Sequence, residues 1–233
     1  MYKIIKDHKD FLIINKSSGT NFHKESADEG MLERLKKEPG ITELYSVHRL
    51  DRVTSGLLLF AKNPETAKEI SRQFRKRQVE KYYIALSDRK PRKSQGLIKG
   101  DMIKSRRGAW KLLRTINNPS LTQFFSCSAG KNLRLFVIRP RTGKTHQVRV
   151  ALKSIGSPVL GDPLYHDKGE IEEMDRTYLH SYAIIFRVKG KEHRFILEPD
   201  TGKHFMDKDF KAALKKYERP WELNWPRIGE QTR

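Results

Sequence analysis

Short apolar runs separated by turn residues mark the N-terminal part of the chain. Phe11 to Asn15 and Leu57 to Ala61 are almost continuously apolar, which is typical of strands that are buried on both faces. Lys16 to Asn21 is rich in serine and glycine and predicts a turn. Asp28 to Glu38 has a helical pattern and is followed by a Pro-Gly pair, which predicts a helix that ends there.

The clearest helix of the sequence begins at Pro64. Asn63 is a good N-cap residue, and proline suits the first helical position because its missing N–H would be unpaired there in any case. Ala67, Ile70 and Phe74 then recur at helical spacing. This spacing predicts an amphipathic helix with one apolar face.

The rest of the chain mixes strands and helices without regular alternation. Tyrosine and β-branched residues predict strands at Val79 to Leu86, Leu133 to Ile138, Tyr178 to Val188 and Arg194 to Leu197, the last two joined by a turn at Lys189-Gly190-Lys191. Apolar residues at helical spacing predict helices at Thr145 to Ile155 and Phe205 to Tyr217. The irregular order favours an α+β fold over a doubly wound sheet. Because no linker or repeat interrupts it, we expect a single domain over residues 1–233.

A net charge of +20, from 48 Lys and Arg against 28 Asp and Glu, narrows the choice of partner. Such an excess predicts a polyanion, with nucleic acid first and an anionic membrane surface second. No apolar run approaches the roughly 20 residues that span a bilayer, and the N-terminus does not resemble a signal peptide. We therefore expect a cytoplasmic protein. Cys127 is the only cysteine, which excludes disulfide frameworks and cysteine-rich zinc sites.

Positive charge is concentrated between Arg89 and Arg114, where Asp101 is the only acidic residue. We interpret this segment as a projecting hairpin or loop that contacts phosphates, and the alternative is a solvated basic loop without a ligand. The basic helix predicted at about residues 203–217 is a second cationic element.

The first candidate site is Val47 to Gly56, immediately before the apolar run at Leu57. Asp51 lies there between Arg49 and Arg52. Nearby cations keep an aspartate ionised and fix its direction. A structural ion pair at the entrance of a strand is an equally good interpretation of these residues alone.

The second candidate site is Arg141 to Arg149, a glycine-containing turn that opens a predicted helix. A helix N-terminus can receive an anion, but the glycine spacing of a nucleotide phosphate loop is missing, which argues against an ATPase. Arg149 lies one turn inside the helix, near the face expected to be buried. A buried arginine needs a carboxylate partner, and we predict that Asp51 is that partner.

The third candidate site is Lys81-Tyr82-Tyr83, on a predicted strand. Alternation sends the two tyrosines to opposite faces, so that one enters the core and the other can stack on a nucleobase; simple packing is the alternative. No His-x3-His, His-Glu-x-x-His or Gly-x-Ser-x-Gly pattern occurs, so we predict neither a metal site nor a serine hydrolase. His146 and His180 are interpreted as structural hydrogen-bonding residues.

Taken together, these segments resemble the RluA-type family of pseudouridine synthases. The central motif of that family is similar to His48 to Lys62, its tyrosine motif to Lys81 to Leu86, and its third motif to Thr142 to Val150, with the match continuing through Ile155 to Tyr165. The order agrees, and the resemblance covers about residues 10 to 188. The chain departs from the family's motifs at two positions. Ser17 stands where the family usually has proline, and Ala151 stands where it usually has histidine. Many relatives carry an RNA-binding domain before the catalytic one, for which the chain has no room before Asp51, so we expect the basic segments to supply more of the RNA contact.

The resemblance implies an α+β catalytic domain with a mixed, largely antiparallel bent sheet, flanking helices and a central cleft. It implies that the protein isomerises specific uridines in structured RNA, ribosomal or transfer, to pseudouridine. Asp51 would be the essential carboxylate, Arg149 its partner and Tyr83 a packing surface for the base, while Arg49 would hold the base out of its stack. We expect further RNA contacts from Arg49, Arg52, Arg92, Lys93, Arg106, Arg107, Lys144, His146 and Gln147.

This isomerisation involves no net redox change, so we expect neither a cofactor nor a metal. RNA is the expected partner, with no membrane and no obligatory protein partner, and we expect a monomer. Three other interpretations stay open at this point. They are a pure RNA-binding module, an inactive family member that acts as an RNA chaperone, and a nuclease, although the acid cluster that would bind a metal is missing.

Overall fold

The computed structural model describes residues 2–20, 30–167 and 174–228. Of these, the residues of Met1–Lys81 and Leu179–Pro199 form one compact unit, and those of Tyr82–Tyr178 and Asp200–Arg233 form another. They are called the first unit and the second unit below.

Strands and short helices alternate irregularly along the described chain. The strands are β1 (Tyr2–Asp7), β2 (Phe11–Lys16), β3 (Tyr45–Ser46), β4 (Ser55–Ala61), β5 (Glu80–Ser87), β6 (Gln95–Gly100), β7 (Met102–Lys104), β8 (Trp110–Leu112), β9 (Ser120–Ser128), β10 (Arg134–Pro140), β11 (Leu179–Val188) and β12 (Lys191–Ile196). The helices are α1 (Met31–Leu35), α2 (Pro64–Arg75), α3 (Gln147–Ser154), α4 (Lys203–Met206) and α5 (Lys208–Leu214).

In the first unit, the sheet is built around β4. Strand β2 pairs antiparallel with β1 on one side and with β4 on the other. The opposite edge of β4 pairs antiparallel with β3 near Phe60 and parallel with β11 at Ser55 and Gly56. Strand β12 continues from β11 as a hairpin whose turn residues, Lys189 and Gly190, both have positive φ, as a two-residue hairpin turn requires.

Alternate residues of these strands form the core of the first unit. Phe11 and Ile13 of β2 lie in one cluster with Leu57 and Leu59 of β4 and with apolar residues of β11. Helix α2 covers this cluster through Ile70, which is fully buried. Asn63 caps the helix as predicted, since its side chain accepts a hydrogen bond from the backbone of Thr66 at 2.9 Å.

In the second unit, β5, β10, β9 and β6 pair antiparallel in that order, and β7 and β8 form a separate two-stranded ribbon. The ribbon packs on α3, because Met102, Trp110 and Leu112 cluster with Val150 and Tyr165. Phe205 and Phe210 anchor the C-terminal helices through buried side chains.

The α+β class and the mixed, largely antiparallel sheet are confirmed, since among the described strands of each unit only β4 and β11 pair in parallel. Three predicted helices are shorter than expected. Within the described residues α1 extends only over Met31–Leu35, α3 begins two residues late, and the C-terminal helix is broken at Asp207, whose ψ is 140°. Residues 21–29, including the start of the predicted helix at Asp28, lie outside the described part. None of the described helices is both long and apolar enough to cross a bilayer.

Candidate active site

Asp51 lies in a tight turn at the entrance of β4. Its backbone carbonyl accepts a hydrogen bond from the amide of Thr54 at 3.0 Å, which closes the turn. The side chain of Asp51 is half-buried, whereas those of Arg49 and Arg52 are exposed. The turn therefore places a carboxylate at the surface of the first unit with two cations beside it in sequence.

The segment after β2 holds this turn by its backbone. Lys16 is fully buried, and its Nζ donates to the carbonyls of Arg52 at 3.0 Å, Thr54 at 2.8 Å and Ser17 at 3.1 Å. The hydroxyl of Ser18 donates to the carbonyl of Val53 at 2.7 Å, and the amide of Gly19 donates to the carbonyl of Arg52 at 2.9 Å. Every carbonyl from residue 51 to residue 54 thus accepts a hydrogen bond. A buried ammonium with three carbonyl acceptors is well satisfied, so the Lys16–Gly19 segment holds the backbone of the turn.

A glycine is required where the turn enters β4. Gly56 has φ of +106°, and a Cβ atom there would clash with the backbone of Ser181 on β11. The close approach is the parallel pairing of β4 with β11, at Ser55 with His180 and at Gly56 with Ser181. The Thr-Ser-Gly sequence after Asp51 therefore serves the backbone packing beneath the turn.

His48 and Lys81 both pack against the ring of Phe74. The imidazole of His48 stacks on Phe74 at 4.9 Å, and Nζ of Lys81 lies 5.5 Å from the centre of that ring. Nε2 of His48 accepts a hydrogen bond from the amide of Leu59 at 3.0 Å. Burial, with a smaller contribution from Lys81, lowers the pKa of His48 to about 3, and burial lowers the pKa of Lys81 to about 8. His48 is therefore neutral and structural near pH 7.

The two neighbouring tyrosines of β5 differ as the alternation predicts. Tyr82 is fully buried, with its ring 5.8 Å from that of Trp225. Tyr83 is half-buried and pairs along the strand with Ile138. Tyr83 is therefore the tyrosine that can present a face to a ligand.

Arg149 is buried as predicted, and it pairs with Asp162, which the sequence did not indicate as a partner. Its Nε and Nη2 donate to the two carboxylate oxygens of Asp162, at 2.7 Å and 2.8 Å. The side chains are 3% and 0% exposed. Asp162 also accepts from the amides of Leu164 and Tyr165, and the guanidinium lies 5.0 Å from the Tyr165 ring. The predicted pairing of Arg149 with Asp51 stays a prediction.

The turn before α3 is organised by Gln147, which we expected to contact RNA. Its amide oxygen accepts from the Thr142 hydroxyl at 2.7 Å and from the Lys144 amide at 3.0 Å, and its amide nitrogen donates to Leu121 and Thr122 at 3.0 Å. Gln147 is buried. These four hydrogen bonds use the whole amide group, so the structure gives Gln147 a structural role.

His146 and Lys144 are also engaged within the second unit. His146 adopts φ of +56° before α3, and its Nδ1 lies 2.9 Å from the hydroxyl of Tyr165. The same hydroxyl accepts a hydrogen bond from the amide of Trp110 on β8 at 2.8 Å. Lys144 donates to the carbonyl of Asn118. Tyr165 thereby connects the β7–β8 ribbon to the start of the helix that carries Arg149.

The predicted basic segment is partly sheet and partly hairpin. Residues 95–100 form β6 in the sheet of the second unit, and β7 and β8 form a hairpin with Arg106 and Arg107 exposed at its tip. Arg92 and Lys93 are exposed in the loop before β6. Asp101 accepts hydrogen bonds from the amides of residues 117 and 118, so this acid stabilises the base of the hairpin. In the part of the chain that is described, no group of three or more His, Cys, Asp or Glu is placed to hold a metal ion.

Comparison with known proteins connects these features to one family. Residues 10–154 match the family described as RNA pseudouridylate synthase. An uncharacterized RNA pseudouridine synthase of Haemophilus influenzae is 52% identical over 79% of this chain and 81% of its own length. Ribosomal large subunit pseudouridine synthase C of Vibrio parahaemolyticus is 32% identical over 80% of this chain and 61% of its own length.

A solved structure agrees with the sequence comparisons. Human RNA pseudouridylate synthase domain containing 1 superposes with a TM-score of 0.72 at 25% identity, covering 86% of this chain and 84% of that one. The family match spans the turn of Asp51, the strand of Tyr83 and the whole of α3, including Arg149. This chain belongs to the RNA pseudouridine synthase family.

Proposed function

We propose that this protein converts uridine to pseudouridine in a structured RNA, with ribosomal RNA as the first candidate and transfer RNA as the second, and that Asp51 is the essential carboxylate. One observation carries the role of Asp51. The turn from residue 51 to residue 54 has all four of its carbonyls hydrogen-bonded, one to the amide that closes the turn and the others to the Lys16–Gly19 segment, while the Asp51 side chain is half-buried at its surface. A fixed backbone that presents a carboxylate is what preorganised catalysis requires.

The reaction is an isomerisation. The bond from the ribose carbon to the base nitrogen breaks, the uracil rotates, and a carbon of the ring bonds to the same ribose carbon. The proton that this ring carbon loses is balanced by the proton that the released nitrogen gains. Electrons balance without an external acceptor, so the chemistry needs no redox cofactor. An ionised carboxylate beside the sugar or the base is the one reactive group that the chain must supply.

Tyr83 and Arg149 complete the proposed catalytic set. Tyr83 is half-buried on β5 and offers a ring face to a base that has left its stack. Arg149 is held by Asp162 through one edge of its guanidinium. A guanidinium carries five N–H donors, so this pair is compatible with the proposed second interaction with Asp51.

Basic side chains, most of them exposed, supply the proposed contacts to RNA phosphates. Arg49 flanks the Asp51 turn and is assigned to holding the displaced base, and Lys144 and His146 are assigned to contacts near α3. We leave Gln147 out of this set because its amide is used within the turn. The remaining assigned residues are all exposed: Arg52, Arg92, Lys93, Arg106 and Arg107.

Ribosomal RNA is the first candidate because of the names that several relatives carry. Four that are 31–32% identical, from species of Vibrio, Haemophilus and Pasteurella, are called ribosomal large subunit pseudouridine synthase C. Unmodified large-subunit ribosomal RNA and a pool of unmodified transfer RNAs are therefore the two substrates to test. Release of tritium from RNA that carries 5-tritiated uridine measures the reaction.

The decisive variant is Asp51→Asn, which keeps the shape of the side chain and removes its charge. We expect it to remain folded, to bind RNA about as well as the wild type because phosphate contacts dominate affinity, and to release no tritium. Asp7→Asn is the matched control, since it neutralises an aspartate whose side chain is 49% exposed and pairs with Lys62. Folded Asp51→Asn protein that binds RNA and reacts near the wild-type rate would refute the assignment. Wild-type protein that binds both RNAs and modifies neither would favour a pure RNA-binding module.

A further inference from the structure

Ser55 and His180 form a buried hydrogen-bonded pair directly behind the Asp51 turn. The hydroxyl oxygen of Ser55 lies 2.8 Å from Nδ1 of His180. On the far side of the ring, Nε2 of His180 lies 2.9 Å from the carbonyl oxygen of Leu197. Ser55 is 3% exposed and His180 is 1% exposed. All three residues belong to the first unit.

The geometry assigns the tautomer of His180. A carbonyl oxygen only accepts hydrogen bonds, so Nε2 must carry the proton that it donates to Leu197. In the neutral ring Nδ1 is then an acceptor, and it receives the hydroxyl proton of Ser55. The carbonyl of Leu179, at 3.4 Å, is a more distant acceptor for the same hydroxyl. A neutral ring satisfies both hydrogen bonds with one proton, and burial disfavours the charged alternative.

The pair lies where the Asp51 turn joins the sheet. Ser55 is the first residue of β4 and pairs with His180 in the parallel ladder. Its neighbour Thr54 closes the turn on the carbonyl of Asp51. Lys16 holds the carbonyls of this turn, and the Ser55–His180 pair fixes the strand that follows it. A rotation of Ser55 would be transmitted through a single residue to the amide that closes the turn.

We propose that His180 is a positioning residue for the reaction: acting through Ser55, its neutral ring sets the direction of the Asp51 carboxylate. This inference rests on the proposed function of Asp51. A Ser-His pair also resembles the nucleophile and base of a hydrolase, but the burial of both side chains keeps them from any substrate. Their role is therefore geometric.

Two substitutions of His180 separate its two hydrogen bonds. In His180→Asn the amide oxygen falls near the position of Nδ1 and can still accept from Ser55. In His180→Gln the amide nitrogen falls near the position of Nε2 and can still donate to Leu197, but no acceptor remains for Ser55. Ser55→Ala removes the same hydrogen bond from the other side. Ser120→Ala is the matched control, because Ser120 is equally buried and donates to the carbonyl of Gly100 at 3.0 Å in the second unit.

The measurements are kcat and KM for tritium release from unmodified large-subunit ribosomal RNA or the transfer RNA pool, whichever the wild type modifies, corrected for the folded fraction. A misplacement of about 1 Å at a reacting group costs on the order of 100-fold in rate. We expect kcat to fall about 10- to 100-fold in Ser55→Ala and His180→Gln while KM changes less than about twofold. His180→Asn should recover most of the loss. The double variant Ser55→Ala/His180→Gln should be no slower than either single variant, because each substitution removes the same hydrogen bond, the one between Ser55 and His180.

Backbone hydrogen exchange and imidazole ¹⁵N shifts test the inference without turnover. The shifts should report a proton on Nε2 of His180, and exchange at the amide of Thr54 should accelerate in Ser55→Ala and His180→Gln but not in His180→Asn. A wild-type protein that modifies no RNA would overturn the proposed function, and these two measurements would then decide whether the pair holds the turn. A proton on Nδ1, unchanged exchange at Thr54, or folded Ser55→Ala protein with wild-type kcat would overturn the positioning role.

Discussion

Arg149→Ala should destabilise the protein strongly, because it leaves a carboxylate buried without its cation. Asp162 is fully buried and is held by Arg149 through two hydrogen bonds of 2.7 Å and 2.8 Å. After the substitution, the carboxylate keeps, among the described residues, the amides of Leu164 and Tyr165 as donors, at 3.0 Å and 3.3 Å. Two neutral donors do not replace a bidentate guanidinium.

The expected loss of stability follows from the burial of both partners. Removing one partner of a buried ion pair costs about 3–5 kcal/mol. The two remaining amide donors place the expected value near the lower end of that range. For a chain of this length each 1 kcal/mol lowers Tm by about 2–4 °C, so the loss corresponds to about 6–20 °C. Arg149→Lys should recover only part of it, since an ammonium lacks the planar fork.

Urea unfolding followed by tryptophan fluorescence measures the effect. Arg187→Ala is the control, because Arg187 pairs with Glu192 at 3.3 Å but its side chain is 67% exposed. Exposed pairs of this kind contribute about 0–1 kcal/mol. Asp162→Asn should approach the loss of Arg149→Ala, since it removes the charge of the carboxylate that accepts two hydrogen bonds from the buried guanidinium. An Arg149→Ala protein that loses no more than the Arg187→Ala control would show that the buried pair contributes little and that the reasoning is wrong.

Three further predictions concern the buried imidazole of His48, the tip of the β7–β8 hairpin and the buried ammonium of Lys16. The pKa of His48 is lowered to about 3 in the folded protein from its ordinary value of 6.5, so the unfolded chain takes up the proton first. The contribution of His48 to stability should be full above about pH 6.5 and fall by up to about 1.4 kcal/mol per pH unit between about pH 6.5 and pH 3, and His48→Gln should flatten this slope in acid urea titrations. Replacing Arg106 and Arg107 with alanine should reduce the slope of log affinity for single-stranded RNA against log salt by about 0.7 for each phosphate that the hairpin tip no longer neutralises. Replacing Lys3 and Lys6, two exposed lysines of β1, should leave the slope unchanged, and an unchanged slope in the Arg106 and Arg107 variant would mean that the hairpin tip does not bind RNA. Lys16→Met should cost about 1–3 kcal/mol for each carbonyl left without a donor, measured by urea unfolding, and a fully stable variant would show that the hydrogen bonds of Lys16 are dispensable.

Local signals along the sequence were sufficient for the elements with strong patterns. The cap at Asn63 and the apolar spacing after it predicted the first residue and the buried face of α2, and the apolar run at Leu57 predicted β4. The broken C-terminal helix was not predictable from the pattern, because Asp207 combines a backbone break with contacts to Lys131 and His204. The contact with Lys131 comes from tertiary structure, which a local pattern does not contain, whereas His204 lies only three residues before Asp207.

Strands without alternation or long apolar runs were missed. β1 has mostly exposed residues and is a strand because it pairs with β2. β9 mixes polar and apolar residues, yet most of it is buried between β10 and β6. Hydrogen-bonded neighbours on both edges define β9, and one of them, β6, is separated from it along the chain by the β7–β8 hairpin.

In the candidate site, too, the sequence predicted some features and missed others. The sequence predicted that Arg149 would be buried and that Tyr82 and Tyr83 would face opposite sides, since both follow from local periodicity. Asp162 was missed as the partner of Arg149, because an acid in a loop gives no sign of which cation it meets. Lys16 carried a usable signal: a lysine at the end of a fully buried strand must find several acceptors.

Around Asp51, one residue holds the backbone of the turn, and different residues carry the exposed positive charge. The ammonium of Lys16 is buried and bound to three carbonyls, so it fixes the turn and offers little to a phosphate. Arg49 and Arg52 are exposed, so they can follow an RNA backbone without moving the turn. An exposed cation interacts with a phosphate across solvent and is screened by salt, whereas the buried hydrogen bonds of Lys16 are not. Salt should therefore weaken RNA binding at this surface while leaving the geometry of the carboxylate unchanged, because Lys16, which holds the backbone of the turn, is not one of the cations proposed to bind the substrate.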